Sequence, residues 1–254
     1  MKLDFATDAG IGTRAALGVI VLETDETLEH EFARLLGGEG IALHVSRIAM
    51  VPQVRPDTLA RMEADLPASA RLLPGRPFDA VGFGCTSAAT VIGPDRVAEA
   101  VRRGCPGAAV TDPLSALIAA GRALGLRRLG FVTPYVPEVS ARMRDRLEAA
   151  GFAIAGFGSF GEGDDRIVAR IAPASILAAI EQVAAQAPCD GVVVACTNLR
   201  CLGIIPEAEA RTGLPVLSSN QAMAWHMLRL AGLDDGAPGG GQLFGAGLAP
   251  DTGI

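Results

Sequence analysis

Two cysteines occupy matching surroundings in the two halves of the chain: Asp79-Ala-Val-Gly-Phe-Gly-Cys85-Thr86-Ser87 and Asp190-Gly-Val-Val-Val-Ala-Cys196-Thr197-Asn198. In each, an apolar run of strand length ends in Cys-Thr followed by Ser or Asn. A thiol at the end of a buried strand suits a nucleophile or a proton carrier, because the thiolate can do either job. Both cysteines fall at a predicted strand-to-helix step, where unpaired N–H groups and the helix dipole lower a thiol pKa. One such thiol per half, brought to one substrate, gives paired thiols on its two faces. The competing reading is that each Cys is a small hydrophobe packed in a sheet. Repetition of the whole step favours chemistry.

The elements that must hold these thiols repeat as well. Leu17-Gly18-Val19-Ile20-Val21 returns as Leu129-Gly130-Phe131-Val132-Thr133, and Gly40-Ile41-Ala42 returns as Gly151-Phe152-Ala153. Ala109-Val110 before Thr111-Asp112 returns as Pro215-Val216 before Leu217-Ser218. The offset, roughly 106 to 112 residues, is too long for a solenoid and right for one small α/β unit. Short apolar runs alternate with longer helical patterns, the signature of a parallel sheet flanked by helices. Strands are predicted near 16–22, 41–49, 79–84, 108–111, 128–133, 152–157, 190–195 and 214–217. Helices are predicted near 26–38, 56–73, 88–103, 113–125, 137–150, 173–187, 203–212 and 219–231. The expected fold class is α/β, with two pseudo-symmetric Rossmann-like units and the site between them. Residues 1–125 form the first unit, carrying Cys85, and 126–233 the second, carrying Cys196. The helix near 219–231 is free to cross back onto the first unit. Residues 234–254, with three successive glycines from Gly239, read as a flexible tail.

Composition narrows the functional classes. Half of the 254 residues are apolar and a fifth are charged, as in a compact globular protein. A net charge of −6 without basic clusters argues against nucleic acid. One Trp and one Tyr leave few platforms for stacking bases. Every apolar run is interrupted by Gly, Pro or charge, so no membrane span is expected. The N-terminal residues carry acids and no hydrophobic stretch, unlike a secretory signal. Five cysteines without a dense framework suit a reducing cytoplasm.

Other candidate motifs carry less. Cys105, Cys189 and Cys201 read as structural. His30, His44 and His226 are scattered, and no cysteine–histidine cluster has metal-ligand spacing, so no metal is expected. Gly156-Phe-Gly158-Ser-Phe-Gly161 has the G-x-G-x-x-G form. Acids follow it instead of an apolar helix, which argues against a nucleotide site.

The chain resembles the aspartate/glutamate racemase superfamily, and within it the maleate isomerase and arylmalonate decarboxylase branch. The resemblance runs from about Gly18 to Gly232. It rests on Val81–Ser87, Val132-Thr133-Pro134-Tyr135, Ala195-Cys196-Thr197-Asn198-Leu199-Arg200 and Leu217-Ser218-Ser219-Asn220-Gln221. It implies two pseudo-symmetric α/β domains, no cofactor, and a cysteine from each half flanking a small carboxylate. It also implies that Thr86, Ser87 and Tyr135 hold a carboxylate; Thr197 and Asn198 of the second copy complete the candidate binding set. Hydroxyls and backbone N–H groups at two helix starts form an anion site and could stabilise an enolate-like charge. Further copies of the same chain are an open option as partner.

Two positions depart from the maleate isomerase pattern. Glu23-Thr24-Asp25-Glu26-Thr27 places an Asp at the carboxylate-binding Asn position, and Asp164-Asp165 replaces Asp-Asn. Asn donates hydrogen bonds to a carboxylate, whereas ionised Asp only accepts. A substrate bearing an amino or amide group is therefore expected, and the Leu22–Thr27 stretch resembles relatives linked to ectoine breakdown. Asp25 could also simply cap the helix after it. The leading expectation is a cofactor-independent racemase or isomerase of a small carboxylate, an amino-acid derivative. Maleate-type cis–trans isomerisation and arylmalonate-type decarboxylation stand as alternatives. A non-catalytic small-ligand binder is the rival from another class.

Overall fold

In the computed structural model, which describes residues 1–250, the chain folds around two four-stranded parallel sheets. The first half runs β1 (Ala15–Leu22), α1 (Leu28–Leu35), β2 (Ile41–Ile48), α2 (Pro56–Ala70), β3 (Ala80–Gly84), α3 (Thr86–Ile92), α4 (Pro94–Arg102), β4 (Ala109–Thr111) and α5 (Pro113–Ala123). The second runs β5 (Arg128–Thr133), α6 (Pro137–Ala149), β6 (Ala153–Ser159), α7 (Asp165–Val168), α8 (Pro173–Ala184), β7 (Gly191–Val194), α9 (Ile205–Thr212), β8 (Val216–Ser218) and α10 (Ser219–Leu230). The sheet orders, β2-β1-β3-β4 and β6-β5-β7-β8, are the same pattern used twice. Registers match too: Leu17 pairs with Ala80 in the first sheet, and Leu129 with Gly191 in the second. The duplication read from the sequence is a duplication of structure.

Central strands are apolar along their whole length because helices cover both faces of each sheet. Every residue of β1, β3 and β7 is buried. Proline opens α2, α4, α5, α6 and α8, where its missing N–H costs nothing.

One predicted helix is corrected. The stretch expected as a single helix over 88–103 is α3 and α4, split at Gly93-Pro94. Gly93 has φ 97, a conformation that L side chains avoid, and Pro94 bars a helical conformation at the residue before it. The consequence is that Cys85 heads a short, self-contained helix.

The two halves interlock through α10. It follows β8 in the chain yet packs on α1, α5, β3 and β4 of the first half. Gly82 permits this, since a Cβ there would lie 2.9 Å from the Met227 sulfur. The expected flexible tail is also corrected for the described part, with 251–254 lying outside the described residues. Trp225 Nε1 and Arg229 Nε donate to the Ala246 carbonyl, and Gln221 Nε2 donates to that of Gly240. Leu243 and Phe244 are buried. The glycines that read as flexibility instead allow close approach: a Cβ on Gly240 would lie 2.5 Å from the Phe244 ring.

Candidate active site

β3 delivers Cys85 in an extended conformation as the N-cap of α3. Its Sγ accepts from Ala88 N at 3.3 Å and lies 3.5 Å from Ser87 Oγ. β7 delivers Cys196 to the same place from the other half, but no helix follows at once: α9 begins only at Ile205. Asn198 N donates to Cys196 Sγ at 3.4 Å, and Cys196 N donates to Ser219 Oγ at 3.0 Å.

Each Cys-Thr step reaches across to the opposite half. Thr86 Oγ1 bonds Ser219 Oγ at 2.9 Å, which ties α3 to the hydroxyl that holds Cys196. Thr197 Oγ1 donates to the Gly84 carbonyl, just before Cys85, at 3.4 Å. The two threonines thus lock the two thiol-bearing strand ends together.

Tyr135, after β5, closes the site. Its hydroxyl acts on Cys196 as a hydrogen-bond donor, and both thiols act electrostatically on the phenol. Burial, then Cys196 and Cys85, push its pKa well above the usual range, so it remains a donor. Ser140 and Ser159 hydroxyls fix its backbone carbonyl.

Asp25 has two faces. Oδ1 accepts from Thr27 N and Leu28 N, both at 2.8 Å, in the manner of a helix cap. Oδ2 is buried without a hydrogen-bond partner. Thr197 is close enough to lower the Asp25 pKa, but its hydroxyl is turned to the Gly84 carbonyl. Burial dominates and pushes the Asp25 carboxyl up to about 6.

Asn198 is a strut. Its Oδ1 accepts from Glu26 N, and its Nδ2 donates to the Asp165 carbonyl and carboxylate and weakly to the Thr24 carbonyl. Both ends of its amide are engaged. Of the candidate residues, Cys85, Cys196, Tyr135, Asp25, Thr86, Ser87, Thr197 and Asn198 all converge here, each 3% exposed or less. The phenol and the Ser87 hydroxyl lie against the two sulfurs, while Thr86, Thr197 and Asn198 join the halves.

The expected thiol activation is corrected. Burial is the largest effect at both cysteines, raising Cys85 to about 12 and Cys196 well above its usual value. Asp165 and Asp25 push both further in the same direction, against donors such as Ala88 N–H at Cys85 and the Tyr135 hydroxyl at Cys196. Helix-terminus stabilisation at Cys85 does not offset desolvation, and Cys196 has no adjoining helix start.

Three residues of this region, Asp165, Ser219 and Glu31, were not among the site candidates read from the sequence. Asp165 heads α7, 3% exposed, and its Oδ2 accepts from Thr24 Oγ1 at 2.5 Å and Asn198 Nδ2 at 3.1 Å. Its N–H bonds the Pro52 carbonyl beside a further strap, Val54 N to the Gly163 carbonyl, so the β2–α2 loop lies against this edge of the site. The signal was present, since Asp164-Asp165 stood out as a departure from the family pattern. Ser219 and Glu31 carried weaker signals. Glu31, on α1, accepts from Leu202 N and Asn220 Nδ2, and burial raises it to about 7. Asn220 Nδ2 also donates to the Thr197 carbonyl.

Other candidates lie elsewhere. Gly156 to Ser159 belong to strand β6, not to a phosphate loop. His226 bonds Thr111 Oγ1. Among the described residues, no group of three or more His, Cys, Asp or Glu side chains could hold a metal ion, and no helix is long and apolar enough to cross a membrane.

Residues 53–244 match the arylmalonate decarboxylase family, and the chain belongs to that family. It is 29% identical over 238 residues to a maleate isomerase from Nocardia farcinica, covering 90% of this chain and 94% of that one. The structure superimposes on maleate isomerase Iso from Pseudomonas putida S16, a Cys-to-Ala variant with maleate, with a TM-score of 0.84 and 27% identity. That match covers 92% of this chain and 98% of the other. A Cys-to-Ser mutant of the Nocardia farcinica maleate cis-trans isomerase, with a covalently bound succinylcysteine intermediate, matches with a TM-score of 0.82 at 28% identity, over 91% and 98% of the two chains.

Proposed function

We propose that this chain is a cofactor-independent isomerase of a small carboxylate, with Cys85 and Cys196 working on opposite faces of one substrate. The observation that carries the reading is the convergence of two strand-end thiols on one phenol, with their strand ends locked together by Thr86, Ser219 and Thr197. In the racemase form, one cysteine as thiolate removes the α-proton and becomes a thiol. The opposite thiol delivers its proton to the other face and becomes the thiolate. Charge and protons balance, and the negative charge on the intermediate faces donors such as Ser87 and the α3 N–H groups. The preferred substrate is an amino-acid derivative, because Asp25 stands at the site as an acceptor.

A second form is supported by the maleate isomerase relatives, one of which holds a succinylcysteine. There a thiolate adds to one carbon of a double bond, the neighbouring carbon takes a proton from the opposite thiol, the new single bond rotates, and elimination returns that proton to the opposite sulfur and restores the alkene and the first thiolate. Decarboxylation needs a single thiol to protonate an enediolate, so the presence of Cys85 weighs against it. The test is incubation of candidate amino acids and diacids in D2O followed by proton NMR. α-Hydrogen exchange with racemisation supports the first form, and geometric isomerisation supports the second. Loss of CO2 alone, or binding without turnover, contradicts the proposal.

A further inference from the structure

The end of the first sheet farthest from the thiols carries a groove that the chemistry does not use. It lies at the start of β3, the opposite end of that strand from Cys85, between the α2–β3 and α4–β4 loops. Leu73, Pro77, Phe78 and Pro106 give it apolar walls, Arg71 and Arg76 give it charge, and its volume is about 570 Å³. Among the described residues neither arginine makes an ion pair. Beside this groove runs the segment that leads into β1. Residues 1–11 form no strand or helix and all are exposed, although Leu3, Phe5 and Ile11 are large and apolar, at 68%, 79% and 70%. Neighbouring apolar side chains left in water mark a surface that another chain covers. The segment is nonetheless anchored. Gly10 and Gly12 take positive φ, Asp8 Oδ1 accepts from Gly10 N, and Arg76 Nη1 donates to the Ile11 carbonyl at 3.0 Å. A side chain of the groove thus holds the root of an exposed arm.

We infer that residues 1–8 of one copy lie in this groove of a second copy, so that two chains exchange arms across a twofold axis. Three observations select that occupant. In an extended chain Leu3 and Phe5 fall on one face and Lys2 and Asp4 on the other, so the apolar pair meets the groove floor while Asp4 turns to its rim. The charges are complementary: Asp4 and Asp8 on the arm, neither in an ion pair, answer Arg71 and Arg76. The root of each arm stands at the edge of its own groove, the placement that lets one rotation seat both arms at once. Because the groove lies at the far end of β3, the exchange joins two complete thiol sites and adds no residue to either.

The experiment uses the full chain in sedimentation equilibrium, where the wild type is expected to be a dimer at micromolar concentration. Phe5→Asp alters a side chain exposed in the single chain, so circular dichroism should not change. It should raise the dimer Kd about 100-fold, since each copy loses a buried ring. Arg71→Glu should raise it about tenfold, and adding Asp4→Arg should recover most of that loss. Phe5→Cys places a thiol against native Cys105, which lines the groove and is 8% exposed. A short bis-methanethiosulfonate should then bridge position 5 to Cys105 between two chains, giving a covalent dimer on a non-reducing gel and a joined peptide in mass spectrometry. A monomeric wild type, a dimer indifferent to Phe5→Asp, a bridge from position 5 to Cys105 within one chain, or no such bridge at all would overturn the inference. None of these readouts needs turnover, so they stand or fall apart from the isomerase reading.

Discussion

The two thiol-bearing strand ends began as one motif and are held in different ways. Cys85 caps a regular helix and receives a peptide N–H from it. Cys196 enters an irregular segment, 197–204, and relies on Tyr135, Asn198 N and a backbone tether to Ser219. Buried Glu31 and Asn220 support only that second side, through Leu202 and the Thr197 carbonyl. The difference teaches that the halves supply unequal thiols: Cys85 is held within its own helix start, by the Ser87 hydroxyl and the Ala88 N–H, whereas Cys196 draws on the Asn198 N–H and on groups from other elements, the Tyr135 phenol and Ser219. Tyr135 donates to the Cys196 sulfur and Ser87 lies against that of Cys85, each opposing the burial that raises both thiols.

The largest effects should come from the thiols themselves. Cys85→Ser and Cys196→Ser are each expected to lower turnover by more than about 10³-fold with circular dichroism unchanged, since a hydroxyl is a far weaker acid and nucleophile. If only one variant loses activity, the site uses one thiol and the comparison collapses to decarboxylase-like chemistry.

Glu31 should sharpen the comparison through pH. Its folded pKa, about 7, lies above its ordinary 4.5, so the folded state binds the extra proton between those values. Stability is then full below about pH 4.5 and falls as pH rises toward 7, by at most about 3 kcal/mol. Asp25, raised from 3.8 to about 6, adds to the same slope. Urea midpoints at pH 5 and pH 8 should differ in wild type, and Glu31→Gln should reduce the difference, leaving the part set by other raised carboxyls such as Asp25 and Asp165 and by His226, which acts in the opposite direction. An unaltered slope would remove Glu31 from the account of the Cys196 side.

Tyr135→Phe should cost about 10²-fold in turnover, the scale of one lost oxyanion-type donor. It should slow alkylation of Cys196 more than that of Cys85. Equal slowing of both would place the phenol symmetrically between them. Smallest is Thr86→Val, expected to lose about 1 kcal/mol for one buried hydrogen bond. Because its partner Ser219 holds Cys196 N, the kinetic loss, a few-fold, should exceed that of Thr90→Val, whose hydroxyl bonds only within α3.

Much of this was legible in the chain because periodicity and duplication are local signals. Val81-Gly-Phe-Gly84 and Val192-Val-Val194 read as buried strands from their residues alone, and the repeat paired their cysteines. What escaped depended on partners distant in sequence. Gly239 to Gly241 look like linker until Trp225 and Arg229 are seen to take the carbonyls beyond them. Cys196 looks like a helix start until 197–204 is traced. Asn198 looks like a substrate amide until Glu26, Thr24 and Asp165 are found around it. The direction of the thiol pKa was missed for the same reason, since burial and two acids from different elements set it.

The most direct test of the central claim is chemical bridging of the two thiols. Ethane-1,2-diyl bis-methanethiosulfonate, added in equimolar amount to the native chain and followed by peptide mass spectrometry, should join the Cys85 peptide to the Cys196 peptide and abolish turnover. Separate labelling of the two cysteines, or bridging of Cys196 to Cys201 instead, would show that they do not face one substrate.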